Sequence, residues 1–271
     1  MPDRSDIASR MKGYEKVTDY KLVNRSVTIC RIDGRAFHTL TRGFVKPFDL
    51  VLTQSMQNTM KYLCQNIQGC VLGYHQSDEI SLAIIDYENL DTTSWFDNRI
   101  QKICSITASM ATLAFNRAFQ DNVKAAMNAN SISDELSTVY TKALMKGAMF
   151  DCRAFNLPKE EVCNYFYWRQ MDATRNSIEM VGQAHFSHKE LLNKSCNDIQ
   201  NMLLTQKDIN WNNYPAYLKR GSCCIKRNQR VHNPDEPSEY ITRQAWVIDE
   251  IIPVFKGDDR QYVNDTILFE E

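Results

Sequence analysis

Acidic residues follow two apolar, strand-like runs of this sequence, and each group lies in a turn. Asp33 and Gly34 follow the run VTICRI, and Asp78 and Glu79 follow the run CVLGY. Asp-Gly and Ser-Asp pairs are also ordinary turn sequences, so neither group alone indicates chemistry. Carboxylates on neighbouring strand ends, however, suit the binding of divalent metal ions against a nucleoside triphosphate. We therefore take Asp33, Asp78 and Glu79 as candidate catalytic residues.

The elements that must position these acids follow the order strand, helix, strand, strand, helix, strand. Apolar periodicity predicts strands over 27–32, 70–74, 80–85 and 148–157, helices over 48–67 and 96–119, and a more exposed helix over 122–144. This is the ferredoxin-type βαββαβ order of an α+β fold. It predicts an antiparallel sheet with its helices on one face and the other face free for substrate.

In such a sheet the first and third strands are central neighbours, which brings the two acidic groups together. Asp33 ends the first strand, and Asp78 and Glu79 lead into the third. Three carboxylates at short range repel one another unless cations neutralise them. The pattern therefore predicts two Mg²⁺ ions, which would bridge a triphosphate and an attacking hydroxyl.

The second part of the chain is predicted to pack on this core. Helices are expected over 160–181 and 187–204, and strands within 221–254 around a polar loop at 233–235. No linker composition separates the two parts. We predict a catalytic core over 1–157 and a helical and strand extension over 158–271 that contacts RNA.

Basic residues near the acids could bind a triphosphate. They are Arg31, Arg35, Arg42 and Lys46 close to Asp33, and Arg99 and Lys102 at the start of the long helix. Polyphosphates need such donors besides a metal. Any one of these residues taken alone is more typical of a solvated surface.

Two further stretches could contact RNA. Residues 219–230 contain Lys219, Arg220, Lys226, Arg227 and Arg230 and no acid. They form either a strip for a phosphate backbone or an exposed hairpin balanced by the acids at 235–239. The aromatic run at 165–168 could stack bases, although we expect at least half of it in the core.

Composition limits the class of protein. The net charge of −1 means that any RNA surface is local. Nine cysteines without a Cys-x-x-Cys pair indicate neither a disulfide framework nor a zinc site, and favour reduced thiols. The polar N-terminus is unlike a signal peptide, and no apolar run approaches the roughly 20 residues of a membrane helix. We expect an intracellular, cytoplasmic protein without a membrane association, although an organelle stays open.

Seven short motifs follow one another along most of the chain. They are MKGYE at 11–15, RIDGRAFH at 31–38, KP at 46–47, GYHQSDE at 73–79, FDCR at 150–153, WRQMD at 168–172 and KRGS at 219–222. In this order they resemble the tRNA-histidine guanylyltransferases and their relatives, the guanylyltransferase-like 3′-to-5′ polymerases. The resemblance implies a palm-like catalytic fold and a homotetramer. It also implies that ATP or GTP activates an RNA 5′-monophosphate, which the 3′-hydroxyl of a nucleotide then attacks.

The resemblance also assigns site residues. It implies that Asp33, Asp78 and the Gly34 carbonyl bind two Mg²⁺ ions, with Glu79 also needed for activity. The nucleotide and triphosphate site is predicted to contain Arg31, Arg35, Phe37, His38, Lys46, Ser77, Arg99 and Lys102. RNA contacts are predicted, more weakly, at Arg153, Arg169, Asn176, Lys219, Arg220, Lys226 and Arg227.

One departure from the family pattern bears on the substrate. Eukaryotic histidine-specific enzymes carry a His-Ile-Asn-Asn motif where this chain has DATRNSI at 172–178, which keeps Asp172 and Asn176 but lacks the histidine. We therefore expect templated repair of tRNA or a tRNA-like 5′ end. The alternative is untemplated addition of guanosine at position −1 of tRNA-histidine.

Two other classes of protein stay open at this point. A nucleotidyl cyclase on the same palm would convert a free triphosphate without RNA. A non-catalytic RNA-binding protein would have no use for the acids, which destabilise a fold by repulsion. Replacing Asp33 by Ala should abolish turnover in both enzyme classes, and should hardly matter in a binding protein.

Overall fold

The described residues of the computed structural model are 5–232 and 240–268. Six strands lie in one sheet: β1 Val27–Gly34, β2 Cys70–Gln76, β3 Glu79–Ile84, β4 Phe150–Leu157, β5 Ser222–His232 and β6 Tyr240–Asp249. The helices are α1 Asp6–Lys16, α2 Phe37–Leu40, α3 Leu50–Asn66, α4 Ile100–Asn128, α5 Asp134–Lys146, α6 Lys159–His185, α7 His188–Leu191, α8 Cys196–Lys207, α9 Ala216–Arg220 and α10 Gln261–Ile267. The predicted α+β class is confirmed.

The sheet has the predicted antiparallel topology with two strands added at one edge. Its strand order is β4-β1-β3-β2-β5-β6, so β1 and β3 are central neighbours. β5 pairs with β2 over Leu72 to His75, and β6 pairs with β5. The two strands of the second part thus extend the sheet of the first, while the domain boundary after residue 157 stays a prediction. The predicted loop at 233–235 lies outside the described residues.

Helices α3, α4 and α5 cover one face of the sheet, as predicted for the βαββαβ unit. Cys30 and Ile32 of β1 point to this face, and Met56 and Met60 of α3 pack there without solvent exposure. A Cβ on Gly73 of β2 would lie 2.6 Å from the Cys64 sulfur, so the helix and strand are in close contact. The Asp49 carboxylate caps α3 by accepting from the Leu52 amide at 3.0 Å.

The prediction that the second face is free for substrate is wrong. Val27 and Ile29 of β1 point to it and are buried under α6 and α10, where Val162 and Phe166 are fully buried. The continuous apolar run of β1 explains this cover, because a strand that is apolar on both sides must be buried on both faces. The face predicted to be free is therefore covered by α6 and α10 over the central strands.

Several helix boundaries differ from the sequence prediction, and the helix predicted over 187–204 is divided into α7 and α8. Phe96 and Asp97 have positive φ values, so the long helix begins later, at Ile100. It continues to Asn128 because Phe119 and Val123 still face the core. The separate helix α5 begins after Ser133, whose hydroxyl accepts from the Leu136 amide at 3.2 Å.

All nine cysteines are free thiols, and most are buried. Within the described ranges, the helices are too short or too polar to cross a lipid bilayer.

Candidate active site

The sheet register places the predicted acids side by side. Asp33 of β1 is the partner of Glu79 of β3 on one side and of Asp151 of β4 on the other. Asp78 lies in the β2–β3 turn, where its carbonyl oxygen accepts from the Gly34 amide at 3.1 Å. The convergence that the βαββαβ order predicts is thus present. Asp151 is an additional acid of this row, and its only sequence signal is the FDCR motif.

The Asp78 carboxyl is in a place that disfavours its charge. Burial raises its pKa, and the neighbouring Asp33 raises it further. The Ser77 hydroxyl donates to it at 3.2 Å. A divalent cation would relieve the repulsion, and carboxylate and carbonyl oxygens are the ligands that Mg²⁺ prefers. Asp33, Asp78 and Gly34 in one turn region therefore fit this ion chemically.

Mg²⁺ typically takes only one or two carboxylates and fills its remaining positions with water and phosphate oxygens. This matters because no group of three or more His, Cys, Asp or Glu side chains in the described ranges could hold a metal by itself. The magnesium site and its ligands stay a prediction.

Glu79 differs from the two aspartates because it already has a partner. Its oxygens accept from Nε and an Nη of Arg169, both at 2.7 Å, and both side chains are buried. Burial raises the pKa of Glu79, and the Arg169 guanidinium opposes that rise. Arg169 is only 6% exposed and also donates to Asp172 at 3.0 Å, so its guanidinium is engaged within the chain, and its predicted RNA contact stays a prediction.

A buried histidine supports the turn that carries Asp78. His75 Nε2 donates to the Ser77 carbonyl oxygen at 3.0 Å, so Nδ1 is left to accept from the Ser222 hydroxyl at 3.4 Å. Burial lowers the pKa of His75 to about 4, which keeps the ring neutral. Gln57 then joins Ser222 to Glu250 by hydrogen bonds of 3.3 and 3.0 Å. This network holds Ser77, whose φ is 51°, in its left-handed conformation.

A cleft of about 620 Å³ opens beside this turn and is large enough for a nucleotide. Its lining includes the predicted residues Gly34, Phe37, His38, Lys46, Ser77 and Asp78. Arg42 also lines the cleft, so three basic side chains surround it: His38, Arg42 and Lys46. Phe37 contributes from the core, where its ring packs against Phe115 and Phe150.

Sequence reasoning missed Met180 and Gln183 of α6, which also line the cleft. No local signal marks them, because α6 reaches the cleft only through the tertiary packing of the second part of the chain.

The remaining predicted triphosphate residues lie apart from this cleft. Arg31 is beside the acids, with its Nε 4.0 Å from Glu79, and Arg35 is exposed on the turn after β1. Arg99 and Lys102 are not brought to the site within this chain. β3 begins at the acids and α4 follows its other end, so these residues lie at the opposite end of the sheet. Arg99 is 3.5 Å from Asp19 there.

The residues predicted to contact RNA are scattered over several surfaces. Arg153 of β4 is 58% exposed and is the strand partner of Arg31. Asn176 of α6 lines a small cavity of about 80 Å³ next to Ser77. Lys226 lies over the Trp246 ring, and Arg227 pairs with Asp249. Of the aromatic run, Tyr165 and Phe166 are core residues and Trp168 is 48% exposed, which confirms the expected division.

A βαββαβ sheet with acids at the ends of its central strands and a nucleotide-sized cleft beside them defines the palm class of nucleotide enzymes. Comparison with known proteins narrows this class. The sequence profile of the tRNAHis guanylyltransferase (Thg1) family matches residues 8–158, more than half of the chain. The chain belongs to this family.

Individual relatives agree over almost the whole length. A bacterial tRNA(His) guanylyltransferase-like protein solved in complex with ATP is 43% identical, covers 97% of this chain and 99% of its own, and has a TM-score of 0.80. A bacterial tRNA(His) guanylyltransferase-like protein in complex with GTP is 40% identical, with a TM-score of 0.78. The match covers 98% of this chain and 100% of that protein. The tRNA(His) guanylyltransferase of Schizosaccharomyces pombe is 25% identical over 92% of both chains. Family membership makes this chain a nucleotidyltransferase, as predicted, rather than a cyclase or a non-catalytic RNA-binding protein.

Proposed function

We propose that this enzyme adds nucleotides in the 3′-to-5′ direction to the 5′ end of tRNA or a tRNA-like RNA, as templated repair of a shortened end. The RNA 5′-monophosphate is first activated by ATP or GTP, which releases pyrophosphate and leaves a phosphoanhydride. The 3′-hydroxyl of an incoming triphosphate attacks that 5′-phosphate and displaces the activating mononucleotide. Removal of the extra phosphates then restores a 5′-monophosphate.

The observation that carries the proposal is the Asp33–Asp78 pair at the edge of the 620 Å³ cleft. Lys46, Arg42 and His38 line this cleft and are placed to donate to the oxygens of a triphosphate. Bound Mg²⁺ held by Asp33, Asp78 and Gly34 would supply charge neutralisation at the phosphates and a more acidic hydroxyl. Arg169 opposes the rise of the Glu79 pKa and holds that carboxyl directly beside Asp33.

Two features favour templated repair over untemplated guanosine addition. The stretch 172–178 lacks the histidine of the eukaryotic histidine-specific enzymes, and Asp172 of that stretch is engaged by Arg169 and Arg175. The relatives of 43% and 40% identity are guanylyltransferase-like proteins solved with ATP and with GTP. We propose that this chain also binds both nucleotides, with ATP or GTP as the activator, and that it assembles as a homotetramer.

A 5′-extension assay tests the function. Purified protein, Mg²⁺ and all four nucleoside triphosphates are incubated with tRNA that carries a labelled 5′-monophosphate and lacks its first nucleotide. Four substrates differ only in the base opposite the gap. We expect one nucleotide to be restored in each case, complementary to that base, and the label to become resistant to phosphatase.

Matched variants and substrates give the result its meaning. Asp33→Asn should abolish extension, whereas Asp91→Asn, at an exposed aspartate away from the acids, should not. If the enzyme adds guanosine only to full-length tRNA-histidine, its function is untemplated addition at position −1 and not templated repair. Failure to extend any RNA by folded protein would overturn the proposed function altogether.

A further inference from the structure

A second cavity of about 370 Å³ lies against α6 and shares no lining residue with the 620 Å³ cleft. We call it the Trp211 pocket, defined by Tyr167, Gln170, Trp211, Asn212, Lys219 and Arg220. Its volume is within the range of small-molecule sites. The catalytic proposal gives this pocket no role.

The charges in the Trp211 pocket are all of one sign. Lys219 and Arg220 are adjacent cations, and no acidic residue lines the pocket. In the described part of the chain neither forms a salt bridge, and the Arg220 Nε is buried without a hydrogen-bond partner. Burial and the neighbouring Arg220 lower the pKa of Lys219. Paired cations with an unused donor favour a bound anion, and phosphate suits the guanidinium geometry best.

Aromatic rings stand beside these cations. Lys219 Nζ lies 5.3 Å from the centre of the Trp211 ring, and it donates to the Asn212 carbonyl oxygen at 2.6 Å, which leaves further ammonium hydrogens for a ligand. Trp211 Nε1 donates to the Ser177 hydroxyl at 3.2 Å. That hydroxyl also donates to the Lys219 carbonyl oxygen at 3.0 Å, so the Trp211 ring is linked through Ser177 to the backbone of Lys219. Aromatic rings next to cations are the usual means of holding a base and its phosphate.

We propose that the Trp211 pocket binds one phosphorylated nucleotide, with its base against Tyr167 and Trp211 and its phosphate at Lys219 and Arg220. The nucleotide is either an unpaired residue of the RNA substrate or a free nucleoside monophosphate. The two sources share the same chemistry. Binding at this pocket needs no turnover, so it can be tested whether or not the enzyme extends RNA.

The test compares charge-removing variants at equilibrium. Binding of a labelled, 5′-phosphorylated single-stranded oligonucleotide and of tRNA is followed by fluorescence anisotropy in EDTA at several salt concentrations. Binding of AMP, GMP and inorganic phosphate is measured by calorimetry. The double variant Lys219→Met/Arg220→Met keeps the hydrocarbon stems and removes both charges. Lys207→Met is the matched control, since Lys207 lies 5.3 Å over the Phe186 ring outside the pocket.

We expect the double variant to bind oligonucleotide or nucleotide about tenfold more weakly near 0.1 M salt. For single strands the slope of log K against log salt should fall in magnitude by about 0.7 for each lost cation, hence by about 1.4. Tyr167→Leu should weaken nucleotide and oligonucleotide binding but not the binding of inorganic phosphate. Lys207→Met should leave every value unchanged.

The outcomes separate the two sources. A loss for RNA alone assigns the pocket to the substrate strand, and a loss for AMP and GMP alone assigns it to free nucleotide. Unchanged binding of all ligands by the double variant, or the same loss in Lys207→Met, would overturn the proposal. If the double variant does not fold, Arg220→Lys and Lys219→Met are measured singly. The first should keep the salt slope and the second should lower its magnitude by about 0.7.

Discussion

Glu79 and Arg169 form a buried, two-pronged ion pair, with both hydrogen bonds at 2.7 Å, directly beside Asp33. The pair fastens the first residue of β3 to the middle of α6. It joins the catalytic sheet to the second part of the chain at the point where the acids converge. A carboxylate held in this way serves better to position Asp33 and Asp78 than to bind a metal ion itself.

Removing only one partner of this pair should be strongly destabilising. Arg169→Met leaves the buried Glu79 carboxylate without its counterion, which typically costs about 3–5 kcal/mol of unfolding free energy. Urea unfolding measures the cost. Arg175→Met is the control, because Arg175 meets the same Asp172 but is 59% exposed and should contribute under about 1 kcal/mol. The double variant Glu79→Gln/Arg169→Met should be more stable than Arg169→Met, and a double variant at least as unstable would contradict this account.

Asp33→Asn should separate stability from activity. Burial is the larger cause of the raised pKa of Asp78, and without divalent cations this variant removes the second cause, the Asp33 charge. Because the folded pKa of Asp78 is raised, its ionisation at neutral pH destabilises the folded state. The Asp33→Asn variant relieves part of this cost, so its free energy of unfolding should increase by about 1 kcal/mol at neutral pH. Thermal unfolding in EDTA measures the gain, and the extension assay should show lost turnover. An equal gain in Asp91→Asn would point to net charge rather than to the acid pair.

His75 predicts a specific pH dependence of stability. Its folded pKa is about 4 and its ordinary value is 6.5, so the unfolded chain binds a proton first as the pH falls. Stability from this residue is complete above pH 6.5 and is lost between pH 6.5 and 4, up to about 3 kcal/mol. Urea unfolding across this range should show the loss in the native protein. The loss should be smaller in His75→Gln, and parallel pH profiles would refute the assignment.

Gly34 and Phe37 should show strong coupling. A Cβ on Gly34 would lie 2.3 Å from the Phe37 ring, and Phe115 and Phe150 prevent that ring from moving away. Gly34→Ala should therefore cost about 1–3 kcal/mol. Phe37→Leu removes the ring, so the double variant should be more stable than the sum of the two single costs predicts. Chemical unfolding of the three variants completes the cycle, and strict additivity would rule out the contact.

Local sequence patterns were sufficient to predict the order of the strands and helices of the βαββαβ unit. The apolar run of β1, the hairpin of β2 and β3 and the helical spacing of α3 each have a short-range signal. Once their order was recognised as βαββαβ, strand adjacency alone brought Asp33 to Glu79. The observed pairing of β1 with β3 confirms this adjacency. The composition of the chain alone does not specify which strands pair.

What the sequence could not predict depends on contacts between distant segments. Arg169 reaches Glu79 across 90 positions of sequence, and nothing near either residue indicates the other. Arg99 and Lys102 were assigned to the triphosphate site as basic residues at the start of the long helix and by the family pattern, but this helix follows the far end of β3. The unbroken apolar run of β1 does indicate that both faces of this strand are buried. The order of the elements does not indicate that α6 covers the second face, whereas this run does indicate a cover there.

The pairing of β5 with β2 has a consequence for how this protein is made. The free edge of β2 is covered only when Leu72 pairs with Ile225, and Ile225 leaves the ribosome roughly 150 residues after Leu72. Until then a nascent chain presents an unpaired strand next to a nearly complete sheet, a state prone to joining the wrong neighbour. Biogenesis of this enzyme therefore depends on its last strands, and chains shortened after residue 158 should accumulate as aggregates rather than as isolated catalytic cores.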